Sequence, residues 1–242
     1  STGIMDDDTM KLVHNVMYDR TPKTHRELMR LPEPDRQAWI ESENKEFNAI
    51  VNEHKALKLL HAKDIPRGAD IIGTHWVYVT KSSGRKKSRM VLQGNQQSRD
   101  ENVSVESPTP KLSTIRHTLS VAVKQGWTID VVDVNGAFLL AQPSKPTYIR
   151  LPAGRKGEGG EEYALCLKNV YGAYDGPLQW NMLLHNWMTS IGFQRNAHDP
   201  CLYERVVNEV PIYVICHVDD LAIVSSRQNT DDFKRELGQM FK

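Results

Sequence analysis

The sequence predicts an α+β fold, an antiparallel sheet backed by helices, on three observations. Residues 212–224 form an apolar run interrupted by Asp219-Asp220, which reads as a β-hairpin with acids at its turn. Two further apolar segments flank Ser82-Ser83-Gly84 and read as a second hairpin. Residues 112–123 and 180–191 carry apolar side chains at helical spacing.

Composition sets the bounds. At 242 residues the chain can bury a large core, as one large domain or two lobes. A hydrophobic fraction of 39% with 25% charged residues suits a globular protein. There is no apolar stretch long enough to span a bilayer. Ser1-Thr2-Gly3 does not begin a signal-peptide layout. Cys166, Cys201 and Cys216 lack metal-ligand spacing and are expected as buried thiols in a reducing compartment. The net charge of +1 does not point to nucleic acid, but its distribution is uneven. Lys81, Arg85, Lys86, Lys87, Arg89 and Arg99 lie in a stretch without an acid. Such a run is most simply a solvated basic loop; the sharper reading is a phosphate-binding patch.

Taken in order, residues 1–33 are polar and weakly patterned and read as an arm, with Asp6-Asp7-Asp8 a solvated tip. A helix is expected from Pro34, burying Ile40, Phe47, Ile50 and Val51. The strands His75-Trp76-Val77-Tyr78-Val79-Thr80 and Arg89-Met90-Val91-Leu92 follow, placing the basic cluster on and beside a hairpin tip. Residues 94–110 read as a loop. The next helix is expected to start at a Ser113 cap, bury Leu112, Ile115, Leu119, Ala122 and Val123, and stop at Gly126. Residues 128–134 form a β-branched strand containing Asp133. The loop at 154–160 is rich in glycine but lacks the Gly-Lys-Ser/Thr ending of a phosphate-binding loop. A helix opening near Pro177 carries the stripe Trp180, Leu183, Leu184, Trp187, Met188 and Ile191, a core pattern, and ends at Gly192. Asn229 or Thr230 opens a final helix with Phe233, Leu237, Met240 and Phe241 inward. There is no internal repeat.

Asp133 and Asp219-Asp220 carry the chemistry. If their strands join one sheet, three carboxylates converge at its edge. Hard oxygen ligands of that kind can hold two magnesium ions roughly 3.5–4 Å apart, as phosphoryl transfer requires. The pair alone is also a common structural choice, because aspartate tolerates turns.

These residues belong to an ordered set of motifs: Ile72-Gly73-Thr74-His75-Trp76-Val77, Lys87-Ser88-Arg89-Met90-Val91-Leu92-Gln93-Gly94, Glu106-Ser107-Pro108 with Lys111-Leu112-Ser113-Thr114-Ile115-Arg116, Val132-Asp133-Val134-Asn135-Gly136-Ala137-Phe138-Leu139, Asn169-Val170-Tyr171-Gly172 with Pro177 to Trp180, and His217-Val218-Asp219-Asp220. In that order and spacing, from about residue 22 to residue 242, the chain resembles the reverse transcriptase of copia-like long-terminal-repeat retrotransposons, part of a Pol polyprotein.

The resemblance implies the fingers and palm of a right-hand polymerase, with the thumb largely absent. Its expected layout is an arm at 1–34, fingers at 35–108 and 141–178, and palm at 109–140 and 179–242. It implies an RNA-directed DNA polymerase in which a primer 3′-hydroxyl attacks a deoxynucleoside triphosphate with two Mg²⁺ or Mn²⁺ ions. Asp133, Asp219 and Asp220 would be the catalytic metal ligands, joined by the Val134 carbonyl. Lys81 and Arg89, with Lys87 as substitute, would grip the triphosphate. Phe138 would exclude a ribose 2′-hydroxyl, although a core phenylalanine is an alternative. Asp175 stands where the family has a glutamine over the nucleotide; its other reading is a cap for the helix at Pro177. His217 replaces a tyrosine that touches template-primer. Gly136 and Leu140-Ala141 also depart from the family's usual polar residues. The implied partners are an RNA or DNA template with primer, and dNTP, without a membrane. A thumb and a ribonuclease H domain are expected to follow Lys242, so low processivity is expected of this chain alone. The implied location is cytoplasmic, with a virus-like particle or the nucleus as alternatives. Two further functions stay open: a domesticated nucleic-acid or protein-binding module, and a metal-dependent nuclease.

Overall fold

The computed structural model describes residues 21–97 and 107–241. Asp6-Asp7-Asp8, Arg99 and Glu106 lie outside the described residues. The helices are α1 (His25–Leu28), α2 (Asp35–Asn48), α3 (Leu112–Gln125), α4 (Gly176–Ser190) and α5 (Arg227–Met240). The strands are β1 (Leu57–Leu60), β2 (Ile71–Ile72), β3 (Thr74–Thr80), β4 (Lys86–Leu92), β5 (Thr128–Asp133), β6 (Thr147–Arg150), β7 (Tyr163–Cys166), β8 (Gln194–Arg195), β9 (Leu202–Val207), β10 (Val210–His217) and β11 (Asp220–Ser225). They form two compact units. One takes Thr147–Cys166 with the chain up to Gln96, and the other takes Gln97–Pro146 with Leu167–Lys242. The α+β class read from sequence holds.

In the first unit β3 and β4 pair as the expected hairpin, closed by a turn in which Gly84 has φ +78°. A separate four-stranded sheet has the order β1-β7-β6-β2. Alternation along β4 buries Ser88, Met90 and Leu92 and turns Lys87 and Arg89 to the other face. Helix α2 packs on β4. Its buried positions are Trp39 and Glu43, followed by Ile50 in the π-helical turn beyond it; Ile40, Phe47 and Val51 are only half-buried. The expected stripe was displaced because a glutamate stands in the buried line. Glu43 has no exposed surface, and its carboxylate accepts from Tyr78 Oη at 2.5 Å and Arg155 Nη2 at 2.8 Å, with His25 Nδ1 at 2.9 Å. The Arg155 guanidinium also lies 5.6 Å from the Trp76 ring centroid. Burial, then the bond to Glu43, pushes the Tyr78 phenol far above its usual range. Residues 24–28, placed by pattern in the arm, form a short helix capped by Thr24 with Leu28 fully buried.

In the second unit all five strands are antiparallel in the order β5-β11-β10-β9-β8. One sheet face meets α4 and α5 around Trp180, Leu184, Trp187, Met188, Val214, Ile223 and Phe233. Each such buried side chain contributes about 1.5–3 kcal/mol. The expected tryptophan stripe of α4 is the centre of this core, and Gly192, at φ +89°, follows its end. Cys166, Cys201 and Cys216 are buried free thiols, and burial pushes Cys201 up to about 11 and Cys166 up to about 12.

Four expectations for the helices are corrected. Helix α3 is capped at Lys111, not Ser113, and Lys111 offers no side-chain cap. Instead Asp199, distant in sequence, accepts from the Lys111 backbone N–H at 2.9 Å. Thr118 and Ala122 are the buried positions of α3, whereas Leu112, Leu119 and Val123 are exposed. Small residues let this helix lie close to the sheet, while its Ile115 and Leu119 line an open groove. Helix α5 opens at Arg227 behind Ser226, whose Oγ accepts from Asn229 N, rather than at Asn229 or Thr230. Its Met240 is exposed, and Phe241 instead packs between Trp180 and Trp187.

Candidate active site

Strand order brings the two acidic motifs together. Asp133 is the last residue of β5 and pairs directly with Asp220, the first residue of β11. Side chains directly opposite on neighbouring strands share a face with Cβ atoms about 4.5–5.5 Å apart, and like charges so placed repel. Asp219 occupies the two-residue turn between His217 and Asp220, and its carbonyl accepts from Val134 N at 3.0 Å. The hairpin is thereby tied to the end of β5.

Asp133, Asp219 and Asp220 form no side-chain hydrogen bond or ion pair among the described residues. Other acids of this unit are engaged. Asp130 meets Lys234 Nζ at 2.5 Å and Arg227 at 3.3 Å, and the Lys234 bond draws its carboxyl below the usual range. Asp199 receives the N–H groups of Lys111 and Cys201. The unpartnered trio is a set of hard oxygen donors, chemically suited to Mg²⁺ or Mn²⁺. The trio shares one end of the sheet, yet among the described residues no three acidic, His or Cys side chains close on a common point. The Val134 carbonyl already accepts from Ala137 N at 3.1 Å, which leaves it one lone pair.

Phe138 follows Gly136, whose φ of +66° starts a short 3₁₀ turn at Ala137–Leu140. Its ring is half-buried and meets Tyr171 edge-on at 6.0 Å. Asp175 is buried and makes no side-chain cap to α4. Its Oδ2 accepts from Ser144 N at 2.9 Å, so the expected capping role is replaced by a bond across the fold. His217 is exposed at the end of β10.

His217 and Asp220 also rim a 420 Å³ groove floored by Leu119, Ile129, Val131 and Ile215. Ile129 and Val131 alternate onto the same face as Asp133, a period-two signal in the sequence that marks this groove. Lys81, Lys87 and Arg89 belong to the first unit. Lys87 and Arg89 share one strand face, and Lys81 lies beside the hairpin tip. Burial, then the positive charges of Arg89 and Lys81, lowers the Lys87 ammonium from its usual range.

Residues 58–242 match the family of reverse transcriptase (RNA-dependent DNA polymerase). The retrovirus-related Pol polyprotein from transposon RE1 of Arabidopsis thaliana is 30% identical over 195 residues, 78% of this chain and 13% of that protein. The corresponding polyprotein from transposon RE2 of the same plant is 29% identical over the same share of each chain. The polyprotein from transposon TNT 1-94 of Nicotiana tabacum is 27% identical over 215 residues, 85% of this chain and 16% of that protein. The chain therefore spans only a small part of the length of these relatives. With its paired acidic strands and this family match, the chain belongs to the reverse transcriptases of copia-like retrotransposons.

Proposed function

We propose that this chain is the RNA-directed DNA polymerase segment of a retrotransposon, joining a dNTP to a primer 3′-hydroxyl on an RNA or DNA template. The observation that carries the reading is the set of Asp133, Asp219 and Asp220 at one end of the antiparallel sheet, without side-chain partners, in a member of this family. Those carboxylates, with the free lone pair of the Val134 carbonyl, would hold two divalent ions, which would supply charge neutralisation for the attacking hydroxyl and the leaving pyrophosphate. Lys81, Lys87 and Arg89 bind the triphosphate; all are donors without acceptor capacity, suited to phosphate oxygens. The Phe138 ring excludes a 2′-hydroxyl by sterics. His217 and the apolar groove beside it contact the primer. Asp175, held by Ser144, acts as a structural tie and leaves the nucleotide free of its charge.

In this reading the first unit serves as fingers and the second as palm. The two compact units divide near residues 97, 147 and 167, beside the 109, 141 and 179 that the resemblance implies for fingers and palm. A second reading, a polymerase-derived binding module, draws support from the trio's failure to close on one point and from the departures at Asp175 and His217.

Primer extension on an RNA template with Mg²⁺ or Mn²⁺, beside Asp219→Asn, tests the proposal. Extension that disappears in the variant supports the polymerase. Template-primer binding without extension supports the binding module, and hydrolysis without extension a nuclease.

A further inference from the structure

The turn that presents Asp219 is an unfavourable one for its sequence. Val218 has φ +59°, a left-handed conformation that a β-branched residue rarely adopts. It is the first central residue of the two-residue turn between His217 and Asp220, where a tight hairpin ordinarily uses glycine. Left to its own preference, this turn would reorient the peptide that carries Asp219. Something outside the hairpin must hold it.

Trp180 is that constraint. It lies in the second turn of α4, is 1% exposed, and donates its indole Nε1–H to the Val218 carbonyl at 2.7 Å. The ring is fixed in turn by edge-on contact with Phe241 at 5.3 Å. The next carbonyl, that of Asp219, accepts from Val134 N. The carbonyls on both sides of the Asp219 Cα are therefore tied, one to α4 and one to the end of β5. A buried indole N–H usually finds an acceptor, although that of Trp39, equally buried, has none. Here the acceptor is the one carbonyl whose orientation sets the turn.

We propose that Trp180 is a positioning residue, whose indole N–H holds the strained Val218-Asp219 turn and thereby keeps Asp219 tied to the end of β5 that carries Asp133. The inference rests on the polymerase reading only for what the carboxylates bind; the clamp itself is a property of the metal-free chain.

The test uses Trp180→Phe, which keeps an aromatic ring and removes the donor, alone and combined with Val218→Gly, which adopts positive φ without strain. The first readout is amide hydrogen exchange at Val134, whose N–H is bonded to Asp219, in metal-free protein. The second is Mn²⁺ affinity by calorimetry, with Asp219→Asn as control. Trp180→Phe is expected to speed Val134 exchange about tenfold and weaken Mn²⁺ about tenfold, and Val218→Gly is expected to restore both to within about twofold of the Val218→Gly parent. A merely structural tryptophan would not be rescued by a glycine in the turn. Unchanged Val134 exchange in Trp180→Phe, or a loss equally large in the glycine background, overturns the proposal. If exchange behaves as expected while wild type and Asp219→Asn both fail to bind Mn²⁺, the clamp stands and the metal reading falls.

Discussion

In the first unit Glu43 has no exposed surface and meets a phenol, a guanidinium and an imidazole. In the second, Asp133, Asp219 and Asp220 lie at the end of a sheet, two of them directly opposite, and meet no side-chain donor among the described residues. The same functional group is treated in opposite ways. A carboxylate that serves the fold is neutralised by the protein itself, because an unpaired buried charge is costly. Carboxylates left facing one another with no internal cation are stable only at partial exposure, and gain most from a cation supplied from outside.

The contrast is sharpened by substitutions that separate activity from stability. The largest effect is expected for Asp219→Asn, a loss of about a thousandfold in primer extension, since removing one metal ligand forfeits several kcal/mol of transition-state stabilisation. Glu43→Ala should do the reverse. It leaves the Arg155 guanidinium without its carboxylate, and is expected to cost about 3–5 kcal/mol in urea unfolding. Asp220→Asn in metal-free buffer should change stability by no more than about 0.5 kcal/mol, and in the favourable direction, because it relieves repulsion. A large destabilisation there would break the comparison.

Smaller effects come from acids of the second unit that do have partners. Asp175→Ala is expected to lose about 1 kcal/mol through the orphaned Ser144 N–H, with the KM for dNTP unchanged. A clear change in KM would return Asp175 to the nucleotide. Asp130 has a carboxyl pKa lowered by Lys234, so its contribution is present above the unfolded value of about 3.9 and is lost as pH falls through the folded value. Urea midpoints of wild type and Asp130→Asn should therefore differ at pH 6 and converge in strong acid.

Local pattern made much of this molecule legible. The hairpins at β3–β4 and β10–β11 follow from alternation around turn residues, and the α4 core follows from the spacing of its tryptophans. The two acidic motifs could be assigned to one sheet only by supposing that their strands met, which they do. What could not be read locally depends on partners distant in sequence. Asp199 caps α3 from 88 residues away, and Asp175 bonds Ser144 31 residues back. Glu43 is not legible locally, because a charged residue within a helix reads as solvent-facing until Arg155 and Tyr78 are brought to it. The apolar stripe of α3 is largely exposed, and periodicity marks an apolar face without saying whether anything covers it.

The most direct test of the central contrast is thermal unfolding with and without Mn²⁺, for wild type and Asp133→Asn. A ligand that binds only the folded state raises the melting temperature in proportion to ln(1 + [L]/Kd). A rise is expected for wild type that grows with Mn²⁺ and is largely abolished in Asp133→Asn. No rise in wild type, or an equal rise in both proteins, would contradict it.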